Sequence, residues 1–173
     1  MKISMYAMSH DVFKKALTQL LLVMEKGVAN AKVRNFDPNV FVTQRLAPDM
    51  LQFSKQIQLA SDFAKNSMAR LAGIDPPKFE DNETTIDELV ARVKKTLEYL
   101  DTVPAAALEG SEQRDIRIPL RDRTLEMKGL PFLQNWALPN FFFHHVTAYN
   151  VLRHNGVDIG KRDYLGQLSL RSP

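Results

Sequence analysis

Residues 138–156 read "LPNFFFHHVTAYNVLRHNG", three of the chain's four histidines behind three successive phenylalanines, closed by a glycine. Phe141, His145, Tyr149 and Leu152 recur at three- and four-residue intervals, the spacing of one helix face. The spacing predicts a helix from Pro139 or Asn140 to Asn155, stopped by Gly156. At 3.6 residues per turn the three phenylalanines fan over about 200°, so they cannot all enter one core. At least one of them must meet a hairpin, the tail or a second subunit.

Three further helices precede it. The first spans Met5 to Val33, with Phe13, Leu17, Leu20, Leu21 and Met24 on one face. "NFDPNV" interrupts it, and Asp37 caps a short turn opened by Pro38. The second begins near "APDM", with Pro48 and Asp49 in its first turn, and ends at Gly73 before "DPP". Its apolar side holds Met50, Phe53, Ile57, Ala60, Ala64 and Leu71. The third opens on "TIDE", where Thr85 stands three residues before Glu88 in capping-box spacing, and carries Ile86, Leu89, Val93, Leu97 and Leu100.

Between the third and fourth helices the period changes. "RDIRIPL" alternates charged and branched apolar residues, and "RTLEM" does so less strictly, which predicts a two-stranded hairpin turning near Arg121 and Asp122. Two strands alone are marginal, so the hairpin should rest on one end of the helices. A helical piece, "PFLQNWAL", precedes the fourth helix, and the tail after Gly156 lies over the bundle through Val157, Ile159, Tyr164 and Leu165. The fold class is all-α: one domain over residues 1–173, a four-helix bundle with a small β-hairpin between helices 3 and 4.

Composition narrows the chemistry. The chain has no cysteine, which removes disulfides, thiolate nucleophiles and zinc–thiolate sites. The opening "MKISMYAMSHDVFKK" lacks the apolar core of a signal peptide, and no apolar run reaches the ~20 residues a membrane crossing needs. The expectation is a cytoplasmic protein without a membrane partner. A net charge of +3 is dispersed; Asp115, Asp122 and Glu126 break up Arg117, Arg121 and Arg123, so no nucleic-acid stripe forms. No ExxH pair, dinucleotide loop or Walker loop occurs.

Two imidazoles converge on one ion when they stand four residues apart on a helix. His144 and His145 are adjacent and splay by about 100°, so each contributes at most one ligand. His145 shares its stripe with Phe141 and Tyr149 and reads mainly as core; His154 suits the negative end of the helix dipole. His10 lies on the Phe13–Leu17 face. It approaches His144 if the first and fourth helices run parallel, and His154 in an up-down-up-down bundle. His144, His10, Asp49 and Gln56 are the candidate metal ligands, and His144 and His145 the candidate catalytic residues.

"RLAPDM" (45–50), "ARLAG" (69–73), "LPNFFFHHVTAYNVLRHNG" and "IGKRDYLG" (159–166) together resemble a family of small bacterial proteins, domain-of-unknown-function family number nineteen ninety-three. The similarity covers almost the whole chain. The family is a branch of the DinB/YfiT-like superfamily, and the resemblance implies a four-helix bundle, often dimeric. Better-known relatives bind a divalent metal, and some act as thiol-dependent transferases or isomerases. Their ligands are one histidine from the second helix and a four-residue-spaced pair from the fourth. His144 matches the first of that pair; Ala148 stands at the second, and the second helix offers Asp49 and Gln56 but no histidine.

Three readings follow. The protein is a bacterial helical bundle of unassigned function with a polar pocket between helices near His144. As an enzyme it would do divalent-metal-dependent or acid–base work on a small molecule. As a non-enzyme it is a ligand-binding or structural homodimer, with the phenylalanine run feeding the contact.

Overall fold

The computed structural model describes residues 3–167. Helix α1 covers Met5–Val33; its first turn is capped by the Ser4 side chain, which accepts the Ala7 N–H at 3.1 Å. A 3₁₀ segment, Pro38–Thr43, follows with Asp37 as its cap. Helix α2 is Phe53–Ala72, and Gly73 closes it at φ 74°, a left-handed conformation that glycine adopts without a Cβ penalty. Helix α3 is Ile86–Thr102, entered through the Thr85/Glu88 capping box. Glu88 accepts N–H bonds from Thr84 and Thr85, which hold its carboxyl below the usual range.

Strands β1 (Asp115–Pro119) and β2 (Thr124–Lys128) form the antiparallel hairpin, in the register Asp115 to Lys128. Ile116 and Ile118 turn into the core, while Arg117 pairs with Glu126 on the outer face. Helix α4 (Gly129–Phe132) runs through a π turn (Leu133–Ala137) into α5 (Leu138–His154), and α6 (Lys161–Leu165) lies across α1.

Two boundaries differ from the sequence reading. The fourth helix begins at Gly129, and Pro139 sits inside a continuous helical run rather than at its entrance. The π turn explains this: the Leu138 N–H reaches back five residues to Leu133, widening the turn just ahead of a ring that has no N–H to give. The Asn140 side chain donates to the Trp136 carbonyl, meeting one of the acceptors in that turn. Helix α2 also starts later, at Phe53. "APDM" is a surface turn in which the Phe53 N–H returns to the Gln44 carbonyl, so Asp49 is exposed and lies outside any helix. Pro followed by Asp opens turns as readily as helices.

Helix directions follow from the cross-contacts. Phe13 meets Phe141 and Arg34 donates to the Asn155 carbonyl, so α1 and α5 run parallel. Gln56 near the start of α2 meets His144 on α5, while Leu71 near the end of α2 lies by Gly129, so these two run antiparallel. Segment 74–85 travels back along α2: Lys65 donates to the Pro77 carbonyl, Lys55 pairs with Asp81 and Gln58 donates to Glu83. Helix α3 therefore starts beside the start of α2 and runs with it. The order is up, down, down, up.

Phe13, Phe53, Phe132, Phe141 and Leu17 are fully buried at the centre. Helix α1 leaves room for a methyl group beside α5: a Cβ on Gly27 would stand 3.5 Å from Leu152, ordinary contact. Gly27→Ala should therefore fill space without strain and raise stability by about 0.5–1 kcal/mol through helix propensity alone. Urea denaturation measures it; a loss of stability would show that α1 and α5 cannot yield even there.

Candidate functional site

His144 stands at the seam between α5 and α2. Its Nδ1 lies 2.9 Å from Gln56 Oε1, and the Gln56 Nε2 donates to the Leu51 carbonyl at 2.9 Å. This chain decides the tautomer. A carbonyl can only accept, so the amide nitrogen of Gln56 must face Leu51 and its oxygen must face His144. Nδ1 then carries the proton, and Nε2 keeps its lone pair. No described residue bonds to Nε2, and the residue remains 9% exposed. Phe63 stacks on the ring at 5.6 Å and Phe143 meets it edge-on at 5.2 Å. Burial pushes the imidazole pKa below 6.5, so the ring is neutral at pH 7.

The other sequence candidates disperse. His145 points into the core between α5, α1 and α6; its Nε2–H donates to the Ala16 carbonyl at 2.9 Å, and burial lowers its pKa as well. His10 does not approach α5 through its ring nitrogens. They meet Asp11 at 2.9 Å and Asp101 at 3.2 Å, with Tyr6 stacked at 4.2 Å and Lys14 sharing Asp101. That cluster joins the start of α1 to the end of α3. Asp49 lies in its exposed turn, and only Gln56 joins His144.

A polar cluster the sequence reading passed over lies between α2, α3 and the returning segment. Arg92 is 2% exposed at its side chain; it pairs with Glu83 at 2.8 Å and with Asp62 and Asp81 at 3.0 Å, and donates to the Glu80 carbonyl. Burial opposes its charge, but Glu83, Asp62 and Asp81 outweigh that and raise its pKa further. Lys65 joins through Asp62 and sits 4.4 Å over the Phe79 ring. The signal in the sequence was weak: Arg92 stands about 60° from Leu89, just outside the apolar stripe of α3, where an arginine is ordinarily solvated.

The family model for "Domain of unknown function (DUF1993)" matches residues 5–165. The chain belongs to this family. The DUF1993 chain is also similar to a solved structure, that of a DinB family member protein from Shewanella denitrificans: 36% identity over 97% of this chain and 95% of that one, with a TM-score of 0.90. Among functionally curated proteins nothing matches. The DinB-like fold raises the question of a divalent metal, and the donor set of this DUF1993 chain does not fit one held by three side chains. Ala148, four residues beyond His144, is fully buried and has no donor, and Gln56 Oε1 is engaged by the His144 Nδ1–H. Among the described residues no group of three or more His, Asp or Glu gathers to hold an ion. Nor is any described helix long and apolar enough to cross a membrane.

Proposed function

We propose that this protein acts on, or holds, a small polar molecule through the free Nε2 of His144, by acid–base or hydrogen-bond chemistry that needs no divalent metal. One observation carries the reading: the Leu51–Gln56–His144 chain leaves a neutral imidazole whose unprotonated nitrogen has no hydrogen-bond partner among the described residues. Orientation by a second group is what a working base requires, because a mobile ring spends little time aimed at its proton. The His10 ring nitrogens are taken up by Asp11 and Asp101, and Asp49 lies in an exposed turn outside the helices.

Imidazole ¹⁵N spectra test the proposal. At pH 7 His144 should show a protonated Nδ1 and a bare Nε2, and one equivalent of Zn²⁺, Mn²⁺ or Ni²⁺ at micromolar protein should leave both unmoved. A stoichiometric shift of His144 on adding metal would convert the site into a metal centre. The pH dependence has a definite sign. His144 and His145 both have folded pKa values lowered from 6.5, so the unfolded chain binds their protons first. Stability should be full above pH 6.5 and fall as the pH drops through the lowered folded values, and His144→Asn should flatten that slope in denaturant titrations.

A specific observation favours homodimer formation as a second reading. Phe141 is buried and Phe142 faces α6, but Phe143 is 55% exposed, with Val146 exposed one turn on. Burying one such ring gains about 1.5–3 kcal/mol, which a second copy of α5 would supply. Sedimentation should find dimer at tens of micromolar and monomer for Phe143→Ser; wild-type monomer throughout would remove this reading. A cytoplasmic setting and a single domain over 1–173 belong to the same proposal, the first checked by cell fractionation.

A further inference from the structure

His145 has an unused acceptor. Its ring is 2% exposed, Nε2–H is committed to Ala16, and Nδ1 has no hydrogen-bond partner. Since Nε2 carries the proton and burial keeps the ring neutral, Nδ1 holds a lone pair. Buried acceptors of this kind are rare enough to need a reason.

The reason lies beside it. His145 lines a hollow of about 190 Å³ between α1, α5 and α6, with Val12, Ala16, Phe142, Tyr164 and Leu165 among its walls. Tyr164 meets the imidazole edge-on at 4.9 Å, and Phe142 does so at 6.3 Å. The result is an apolar, aromatic box with His145 in its wall and the Nδ1 acceptor closed off from it. Dry apolar cavities of about 150 Å³ accept a benzene ring, so this one has room for a ring and a small substituent.

We propose that the hollow binds a small aromatic molecule bearing one hydroxyl or N–H donor, which bonds to His145 Nδ1 while its ring packs against Phe142 and Tyr164. Nδ1 is sealed from solvent, so the donor reaches it through the hollow as the Tyr164 ring turns aside on α6. That helix is short and bounded by Gly160 and Gly166. Lys15 and Gln19 stand at the rim. The site is separate from His144, so either proposal can fail without the other.

The test uses the full chain with ¹⁵N-labelled histidine, phenol as the probe, and toluene as the same ring without a donor. Phenol should bind at a one-to-one ratio and move the His145 Nδ1 resonance upfield, and toluene should bind at least about tenfold more weakly. His145→Phe loses the anchor to Ala16 and risks the fold. Val12→Phe, on the half-buried rim, should block phenol while leaving the His144 resonances and the melting temperature in place. Equal affinity for phenol and toluene would overturn the role of Nδ1. Absence of saturable phenol shifts at His145, or unchanged phenol binding by Val12→Phe, would overturn the site.

Discussion

Arg92→Ala is expected to cost about 3 kcal/mol, toward the low end for breaking a buried ion pair by removing one partner. The value is kept low because Asp62 and Asp81 retain enough solvent to be rehydrated; Glu83, at 10% exposure, does not. For a chain of this size the melting temperature should fall by about 6–12 °C. The loss has an address. Arg92 binds Glu80, Asp81 and Glu83 to Asp62, so it fastens the returning segment to α2 and α3. Amide exchange in residues 74–85 should quicken more than exchange at Phe13 or Phe141. Arg92→Lys keeps the charge but not the planar fork, and should fall between the two. A variant as stable as the parent, with segment 74–85 still protected, would mean that apolar packing alone holds the crossover.

Gly129→Ala is the second large effect. A Cβ there would lie 1.9 Å from the Ser111 carbonyl oxygen and 3.0 Å from its carbon. Both are backbone atoms, in a turn where the buried Ser111 hydroxyl donates to Leu108 at 2.7 Å. Overpacking costs about 1–3 kcal/mol where side chains can move aside, so about 3 kcal/mol or more is expected where the obstacle is backbone. The contrast with Gly27→Ala makes the comparison sharp, since both replace a helical glycine by the best helix former. Chemical denaturation of the two variants side by side should show opposite signs. If Gly129→Ala lost less than about 1 kcal/mol, the 111–113 turn would have to be free to retreat from α4.

Much of the architecture was legible. The apolar stripe of α1, the Thr85/Glu88 box, the Gly73 stop and the alternation of "RDIRIPL" are local patterns, and the elements stand where those patterns put them. The two misplaced boundaries share a cause. Pro48 and Pro139 were both read as helix entrances; Pro48 lies in a turn, while Pro139 is carried inside a helix by the π turn before it. Proline reports a missing N–H and a fixed φ, and several backbones satisfy both.

The site was legible only in part. The divergence of His144 and His145 follows from helix geometry, and the structure sends one toward Gln56 and the other toward Ala16. That Gln56 would be the partner of His144, that the amide would fix the proton on Nδ1, and that His10 would turn to Asp101 depend on which helices lie side by side. Arg92 borders the apolar stripe of α3 and reads as a solvated arginine, because its carboxylate partners come from another helix and a loop.

By itself the sequence determined the helices, the hairpin and the family, because periodicity, caps and turn residues act over a few positions of the chain. Tertiary structure alone decided the up-down-down-up order and, through it, every contact of the candidate site. The path of segment 74–85 back along α2 sets the direction of α3, and that path is held by ion pairs and carbonyl bonds between residues far apart in sequence, which no local pattern encodes.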